Sequence, residues 1–250
     1  MTHFLQDILR QPDELRGVIE LLRGDGAKPL EAAADSVRAA RHIYLTGIGA
    51  SYNAALGAAW HFHSIGHPVY LLDAAELLHF AKIPAESVLV ILSRSGQSVE
   101  IVKLLEKAHN AGATVIGITN FPDGALARRA DIPIVLPVKP DHGISANTYL
   151  SFAAGGAAIA GVVAHAFDTH LASTLLEAIA ATAEEIPAWQ QQLVNASWLR
   201  PGATYYFLAR GASLASSYGA QLLWEEGVKV AAVAMGTDSF RHGQIGRAHV

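Results

Sequence analysis

Short β-branched and apolar runs alternate along the chain with longer segments of helical composition. The runs that predict strands lie at residues 42–46, 68–72, 87–92, 114–119 and 132–136. Helical segments bounded by Gly, Pro or Asn lie between them at residues 52–65, 98–111 and 123–129. Strands separated by helices form βαβ units, in which the strands are parallel and helices cover both faces of the sheet. We therefore expect an α/β fold of three layers with a parallel sheet in the middle.

A second, shorter series of the same kind follows two long helices predicted at 147–164 and 169–193. It consists of a strand at 204–209, a helix at 213–226 and a strand at 229–234. Its opening, Tyr-Phe-Leu-Ala-Arg-Gly-Ala-Ser at 206–213, echoes Tyr-Leu-Thr-Gly-Ile-Gly-Ala-Ser at 44–51. A parallel sheet of only two strands is too small to bury both of its faces, so we expect a second unit that is cut short. The predicted division is N-terminal helices at 1–40, a first domain at 41–166, and a linker helix with the start of a second domain at 167–250.

Composition and charge narrow the classes of function. The 18 basic and 22 acidic residues give a net charge of -4 without a long run of one sign, so no nucleic-acid partner is predicted. The chain has no cysteine, which excludes thiolate nucleophiles and cysteine-ligated zinc. His61 and His63 occupy alternate positions of a predicted helix and point about 200° apart, so they imply no metal site. No cofactor is implied either.

Hydropathy gives no membrane segment. The most apolar stretch, residues 150–167, consists mainly of Ala and Gly and contains His165, which predicts a buried helix. The first 16 residues mix charged with apolar side chains, unlike a secretory signal. We expect a cytoplasmic protein that does not contact the membrane.

A serine-rich loop follows the third predicted strand and leads into a helix. Its sequence is Ser93-Arg94-Ser95-Gly96-Gln97-Ser98. A helix N-terminus offers unpaired N–H groups and a partial positive charge, a glycine allows close approach of the backbone, and hydroxyls donate hydrogen bonds. A simple serine-capped turn would need only one serine. The pattern therefore favours an anion site that binds a phosphate.

A dinucleotide site is the competing interpretation of the first turn. Gly47 and Gly49, with the later Asp73, match part of the fingerprint for such a site. The third glycine, which permits close packing of helix and strand, is replaced by Tyr52. Two glycines are a weak motif, so we favour the phosphate loop.

The serine loop resembles the phosphate loop of the sugar isomerase (SIS) domain family, whose pattern is Ser-x-Ser-Gly-x-Ser/Thr. Residues 47–52 and 143–148 resemble that family's first-strand turn and the sugar-contacting turn before a long helix. The resemblance covers about residues 40 to 243. It implies a flavodoxin-like, three-layer SIS domain that binds a phosphorylated sugar. The binding residues implied are Ser51, Ser93, Arg94, Ser95, Gln97, Ser98, Ile144 and Ala146.

The same resemblance implies a catalytic pair in the second unit. Glu226 stands in Trp-Glu-Glu-Gly at 224–227 and His242 in Phe-Arg-His-Gly at 240–243. Taken alone, both are ordinary surface residues. In the family pattern, Glu226 is the base that moves a proton between adjacent carbons, and His242 is the acid–base group that opens the sugar ring. Both aldose–ketose isomerisation and deamination or deglycation of an aminosugar phosphate fit this pair.

A homodimer with shared active sites is also implied, in which His242 reaches into the site of the neighbouring chain. The alternative from another class is a non-catalytic sugar-phosphate sensor, such as the ligand domain of a transcription regulator. Such a regulator usually carries a basic helix-turn-helix segment, whereas residues 1–40 are short and not basic. The presence of both Glu226 and His242 also favours an enzyme, because a pure sensor needs neither.

Overall fold

The structure is a computed structural model that describes residues 1–200, 202–243 and 246. The strands are β1 His42–Gly47, β2 Tyr70–Asp73, β3 Ser87–Leu92, β4 Thr114–Thr119, β5 Ile132–Val135, β6 Tyr205–Ala209 and β7 Ala232–Gly236. The helices are α1 His3–Leu9, α2 Gln11–Arg23, α3 Ala27–Ala39, α4 Ala50–Ser64, α5 Ala74–Phe80, α6 Val99–Asn110, α7 Ala125–Arg129, α8 Asn147–Val163, α9 Thr169–Val194, α10 Ser213–Gly227 and α11 Thr237–His242. Apart from residue 246, the end of the predicted second domain beyond residue 243 lies outside the described residues.

The main sheet is parallel and has the strand order β2-β1-β3-β4-β5. Its central strand, β3, is buried along its whole length. Val88, Val90 and Leu92 pack into the core on one face, while Leu89 and Ile91 pack into the core on the other. A continuous apolar run is what a strand covered on both sides requires. The predicted α/β fold with a central parallel sheet is confirmed.

Two helical layers cover this sheet. The larger core lies beneath α2, α3, α4 and α8 and includes the fully buried rings of Phe62 and Phe152. The smaller core lies beneath α5, α6 and α7 and includes Leu104 and Leu126. Helix α8 holds most of the apolar stretch at 150–167 and is largely buried, as predicted. Among the described residues, no helix is both long enough and apolar enough to span a bilayer.

The second series forms a two-stranded parallel sheet, β6-β7, whose strands are joined by α10. Helix α10 packs against α4 of the first series in an antiparallel arrangement. Near its start, Ala215 lies so close to α4 that a Cβ on Gly57 would be 3.3 Å away. Near its end, Leu223 and Glu226 share a crevice with Ala50, the first residue of α4. The C-terminus of α10 therefore reaches the end of the first unit at which α4 begins.

Several predicted boundaries were wrong by two or three residues, for local reasons. Strand β2 begins at Tyr70 and not at Pro68, since proline has no N–H to donate to a neighbouring strand. Strand β7 begins at Ala232 because Lys229, with φ +61°, turns the chain after α10. The short helices α1, α5 and α11, of six or seven residues each, were not predicted.

Candidate functional site

The loop at residues 93–98 is a compact turn between β3 and α6. The Ser93 hydroxyl is buried and accepts a hydrogen bond from the Gly96 N–H at 3.2 Å. The Ser95 hydroxyl accepts one from the Gln97 N–H at 3.3 Å. Arg94 and Gln97 are exposed, and Arg94 forms no ion pair among the described residues. The turn thus presents a guanidinium and hydroxyl groups to the surface.

Gly96 is fixed at this turn by both conformation and contact. Its φ of +61° lies in the left-handed region, and an added Cβ would lie 2.6 Å from Cβ of Leu126. The Gly96 carbonyl also accepts a hydrogen bond from the Leu126 N–H at 3.1 Å. A neighbouring glycine, Gly124, lies equally close to the loop, because its Cβ would approach the Ser95 carbonyl oxygen. The loop and the start of α7 are therefore packed backbone to backbone.

Ser98 occupies the N-cap position of α6 without acting as a cap. Its backbone has the extended conformation of an N-cap residue, yet its side chain makes no capping hydrogen bond. The simple serine-cap interpretation therefore fails at this position. The Ser98 hydroxyl and the first N–H groups of the 12-residue helix remain available to a ligand. Glu100 in the first turn already offers some negative charge to the helix dipole.

The turn after β1 lies beside the serine loop, because β1 and β3 are adjacent parallel strands. Ser51 is buried near the start of α4, and its N–H donates to the Ile48 carbonyl at 3.2 Å. Gly49 has φ +57°, and a Cβ on Gly47 would lie 2.8 Å from the Ser51 carbonyl carbon. Gly49 is thus explained by its backbone conformation, and Gly47 by its close contact with Ser51. The first-strand turn and the serine loop share the carboxyl edge of the sheet.

The turn at residues 143–148 is held by Asp141, a residue that the sequence analysis missed. One carboxylate oxygen of Asp141 accepts from the Asn147 N–H at 3.1 Å and side-chain amide at 2.8 Å. The other accepts from the Thr148 N–H at 3.0 Å and hydroxyl at 2.9 Å. Within the turn, the Ala146 N–H donates to the Ile144 carbonyl at 2.9 Å. The predicted residues Ile144 and Ala146 therefore lie in a tightly bonded segment.

Glu226 meets this turn at the end of α10. A crevice there is lined by Ala50, Ser145, Tyr149, Gly219, Leu222, Leu223 and Glu226. A Cβ on Gly227 would lie 3.4 Å from Cδ1 of Ile144, so the helix end contacts the turn directly. The structure thus brings Glu226 together with the 143–148 turn and the start of α4. Ser145, which lay within the motif but was not singled out, belongs to the same group.

Tyr149 is one of the residues that line this crevice. Burial raises the pKa of its phenol, and this effect outweighs the opposing hydrogen bond with Ser216, whose hydroxyl lies 3.1 Å away. The phenol is therefore neutral at physiological pH and can both donate and accept a hydrogen bond.

The helices that carry His242 and Glu226 pack on opposite faces of the β6-β7 sheet. Glu225, next to Glu226, accepts a weak hydrogen bond from the first N–H of β7 at 3.5 Å, so α10 ends where β7 begins. Helix α11 follows the far end of β7, and there Asp238 pairs with Arg210 at the end of β6. The ring of Phe240 in α11 packs on Tyr206 of β6, whereas Trp224 in α10 packs on Tyr205 and Phe207, whose side chains point to the other face of the sheet. The structure therefore separates His242 from Glu226 of the same chain, and it leaves both side chains exposed.

A large hollow in the described part of the chain lies away from these residues. It is an apolar groove of about 920 Å³ between α1, α2, α8 and α9, with Leu15, Leu175 and Trp189 among its walls. None of the predicted binding or catalytic residues lines it. Among the described residues, no three His, Cys, Asp or Glu side chains gather in a way that could hold a metal ion.

Comparisons with known proteins agree with this architecture. A curated relative, the isomerizing glutamine–fructose-6-phosphate aminotransferase of Pyrobaculum aerophilum, is 25% identical over 261 aligned residues; these cover 97% of this chain but only 41% of that protein. The chain thus spans less than half the length of that relative.

Solved structures match the fold over nearly the whole chain. The C-terminal domain of glucosamine-fructose-6-phosphate aminotransferase from Francisella tularensis superposes with a TM-score of 0.81 at 20% identity, covering 98% of this chain and 72% of that one. Glucosamine-6-phosphate deaminase from Thermotoga maritima superposes with a TM-score of 0.82, also at 20% identity, covering 97% and 72%. Residues 36–161 match the sequence profile of the SIS domain, which contains both turns at the carboxyl edge of the sheet. The chain belongs to the SIS domain family.

Proposed function

We propose that this chain binds a phosphorylated sugar and acts on it as an enzyme, with the phosphate in the loop at residues 93–98. The observation that carries the proposal is the unused cap at Ser98, whose hydroxyl makes no capping bond at the N-terminus of α6. A phosphate accepts hydrogen bonds from free N–H groups and hydroxyls and is favoured by the positive end of the helix dipole. Ser93, Arg94, Ser95 and Gln97 complete the proposed phosphate site.

The sugar would extend from this loop towards the 143–148 turn and α10. Ser51, Ile144 and Ala146 are the proposed sugar contacts, and Glu226 is the proposed base. This assignment is supported by the crevice that Glu226 shares with Ser145 and Ala50. A carboxylate at that position can take a proton from the carbon beside a carbonyl and return it to the carbonyl carbon, while the hydroxyl proton passes from the oxygen of the first carbon to that of the second; together these transfers convert an aldose into a ketose.

The reaction class is narrowed only in part by the relatives. Their names refer to fructose 6-phosphate and glucosamine 6-phosphate, and to transfer or removal of an amino group. We propose a sugar 6-phosphate or an aminosugar phosphate as the substrate, with either isomerisation or deamination or deglycation as the reaction. Proton transfer by Glu226 serves either outcome.

His242 is proposed to act in the site of a second copy of the chain. The β6-β7 sheet supports this, because α10, which ends at Glu226, packs on one face and α11, which ends at His242, packs on the other. A two-fold dimer would pair Glu226 of one chain with His242 of the other, since such an interface is made twice with the same residues. His242 would then open the sugar ring by passing a proton between the ring oxygen and the anomeric hydroxyl.

We also propose the domain division that the sequence predicts. Residues 41–166 would form the SIS domain that holds the phosphate, and residues 167–250 would form a linker helix and the start of a second SIS-like unit. The two-stranded β6-β7 sheet with its connecting α10 supports a second unit, because it repeats one βαβ element of the first.

The first experiment measures phosphate recognition by calorimetric titration with fructose 6-phosphate, inorganic phosphate and fructose. The Ser95→Ala, Ser98→Ala double variant should weaken binding of fructose 6-phosphate and of inorganic phosphate by about a hundredfold or more, since each of the two hydrogen bonds to a charged group contributes about 1.5–3 kcal/mol. A matched control is Ser36→Ala with Ser64→Ala, because these hydroxyls bond to helix carbonyls away from the loop. Equal affinities of double variant and wild type would refute the phosphate loop.

Turnover is followed separately with sugar 6-phosphates, with and without a 2-amino group, by ketose formation and ammonia release. Binding without turnover of any of them would replace the enzyme by the sugar-phosphate sensor.

A further inference from the structure

The segment before the 143–148 turn is held by the N-terminal helices, more than a hundred residues away in the chain. Asp7 of α1 accepts hydrogen bonds from the N–H of His142 and from its ring Nδ1, both at 2.8 Å. The Asp7 carbonyl accepts another from the side-chain amide of Asn147 at 3.0 Å. One residue of α1 thus contacts the start of the turn and its far end.

Two further residues extend this contact along the same helical face. Arg10 donates to the Pro140 carbonyl at 2.8 Å and also pairs with Asp7 at 2.9 Å. Glu14 accepts from the N–H of Lys139 at 3.1 Å. Positions 7, 10 and 14 follow the spacing of one helical face, and α1 and α2 run on with only Arg10 between them. This face therefore binds the main chain from residue 139 to residue 142.

Asp7 is a buried carboxylate, with only 1% of its side chain exposed. Burial raises the pKa of Asp7, but the hydrogen bonds from His142 and the charge of Arg10 outweigh it, so the pKa is lowered overall. A buried ionic cluster rarely stabilises a fold more than well-packed apolar residues would, although it can select one conformation. Here the selected conformation is that of the loop leading into the 143–148 turn.

We propose that Asp7 is a positioning residue of the sugar site. By holding the main chain of His142 and the side chain of Asn147, it sets the turn that carries Ile144 and Ser145 against the end of α10. The proposal rests on the proposed function, because it assumes that this turn contacts the sugar. It assigns Asp7 no contact with the phosphate, since none of its bonds reaches the loop at 93–98.

The test compares Asp7→Ala with the wild type in the whole 250-residue chain. Affinity for fructose 6-phosphate should fall by about tenfold or more, which corresponds to about 1.4 kcal/mol of lost positioning. Affinity for inorganic phosphate should stay within about twofold, because Asp7 makes no bond to the phosphate loop. Amide hydrogen exchange without ligand should become faster at residues 142–148 and remain unchanged at 93–98. A residue that merely stabilised the fold would change both segments together.

Asp13→Ala is the matched control, because Asp13 forms an ion pair with Arg16 at 2.7 Å with the same i, i+3 spacing as Asp7 and Arg10. Unlike Asp7, its side chain is 80% exposed. It should alter neither affinity nor exchange at 142–148. If Asp7→Ala does not fold, Asp7→Asn tests the positioning role in its place, since it keeps the size of the side chain and one acceptor oxygen while removing the charge. It should raise exchange at 142–148 by a smaller factor.

Two results would overturn the positioning role. One is unchanged exchange at 142–148, and the other is an equal fall in affinity for phosphate and for fructose 6-phosphate. If the wild type binds neither ligand, the proposed function fails, while the exchange measurement still decides whether Asp7 holds the turn.

Discussion

Replacement of Gly96 by alanine separates the two constraints that the structure places on the serine loop. Gly96 has φ +61°, and an added Cβ would lie 2.6 Å from Cβ of Leu126. Gly112, at the C-terminus of α6, has a similar φ of +73°, but its Cβ would meet nothing within 4 Å. Gly112→Ala therefore measures the conformational cost alone, whereas Gly96→Ala measures the conformation and the contact together.

The magnitudes follow from these two geometries. A left-handed backbone costs a residue with a Cβ about 1–2 kcal/mol, which applies to both variants. Overpacking adds about 1–3 kcal/mol at Gly96 only, because the atom in the way is fixed to the backbone of α7 and cannot rotate aside. We expect Gly112→Ala to lower the free energy of unfolding by about 1–2 kcal/mol and Gly96→Ala by about 2–5 kcal/mol.

Urea unfolding monitored by circular dichroism gives both values, and calorimetry with inorganic phosphate gives the functional counterpart. Gly96→Ala should also lose phosphate binding, because a shift of the loop away from α7 moves the N–H groups at the start of α6. Gly112→Ala should bind phosphate like the wild type. Equal losses of stability in the two variants, or normal phosphate binding by Gly96→Ala, would refute the argument from close packing.

Two further predictions concern catalysis and pH. Glu226→Gln should bind fructose 6-phosphate normally without turnover, whereas the matched control Glu225→Gln should remain active. If sites are shared in a two-fold dimer, mixing Glu226→Gln chains with His242→Asn chains should restore about a quarter of wild-type activity. No recovery despite proven subunit exchange would contradict the shared site. Because hydrogen bonds from His142 and the charge of Arg10 lower the pKa of Asp7 despite its burial, the carboxylate stabilises the folded chain above the unfolded pKa of about 3.9, and this contribution is lost as the pH falls further. The stability difference between wild type and Asp7→Asn should therefore shrink as the pH falls below about 4 in urea titrations, and a difference that grows below that pH would contradict it.

The main sheet could be predicted because its evidence is local. Strand β3 is a continuous apolar run that ends at a serine turn, and its predicted bounds are those observed. The serine loop could be predicted in the same way, since the motif lies entirely between one strand and the next helix. Such signals need no knowledge of distant parts of the chain.

The support of the site could not be predicted in the same way. Asp7 contacts His142 across 135 positions of sequence, and nothing in the segment around Asp7 indicates that partner. Asp141 is two residues before the motif at 143–148, but an aspartate before a turn is common and carries no sign of the four hydrogen bonds that it accepts from Asn147 and Thr148. Long-range polar contacts of this kind depend on how the elements pack.

The small residues of α4 connect the composition of the chain to the position of Glu226. Helix α4 lies between α8 and α10, and it is close to both: a Cβ on Gly156 of α8 would lie 2.6 Å from Cβ of Ala58, and one on Gly57 would lie 3.3 Å from Cβ of Ala215. Larger side chains at these contacts would push α10 outward. Glu226 lies at the end of α10, so its distance from the 143–148 turn depends on that close approach. The alanine and glycine content of α4, which gives no amphipathic pattern, is therefore what allows Glu226, the proposed base, to approach the turn proposed to contact the sugar.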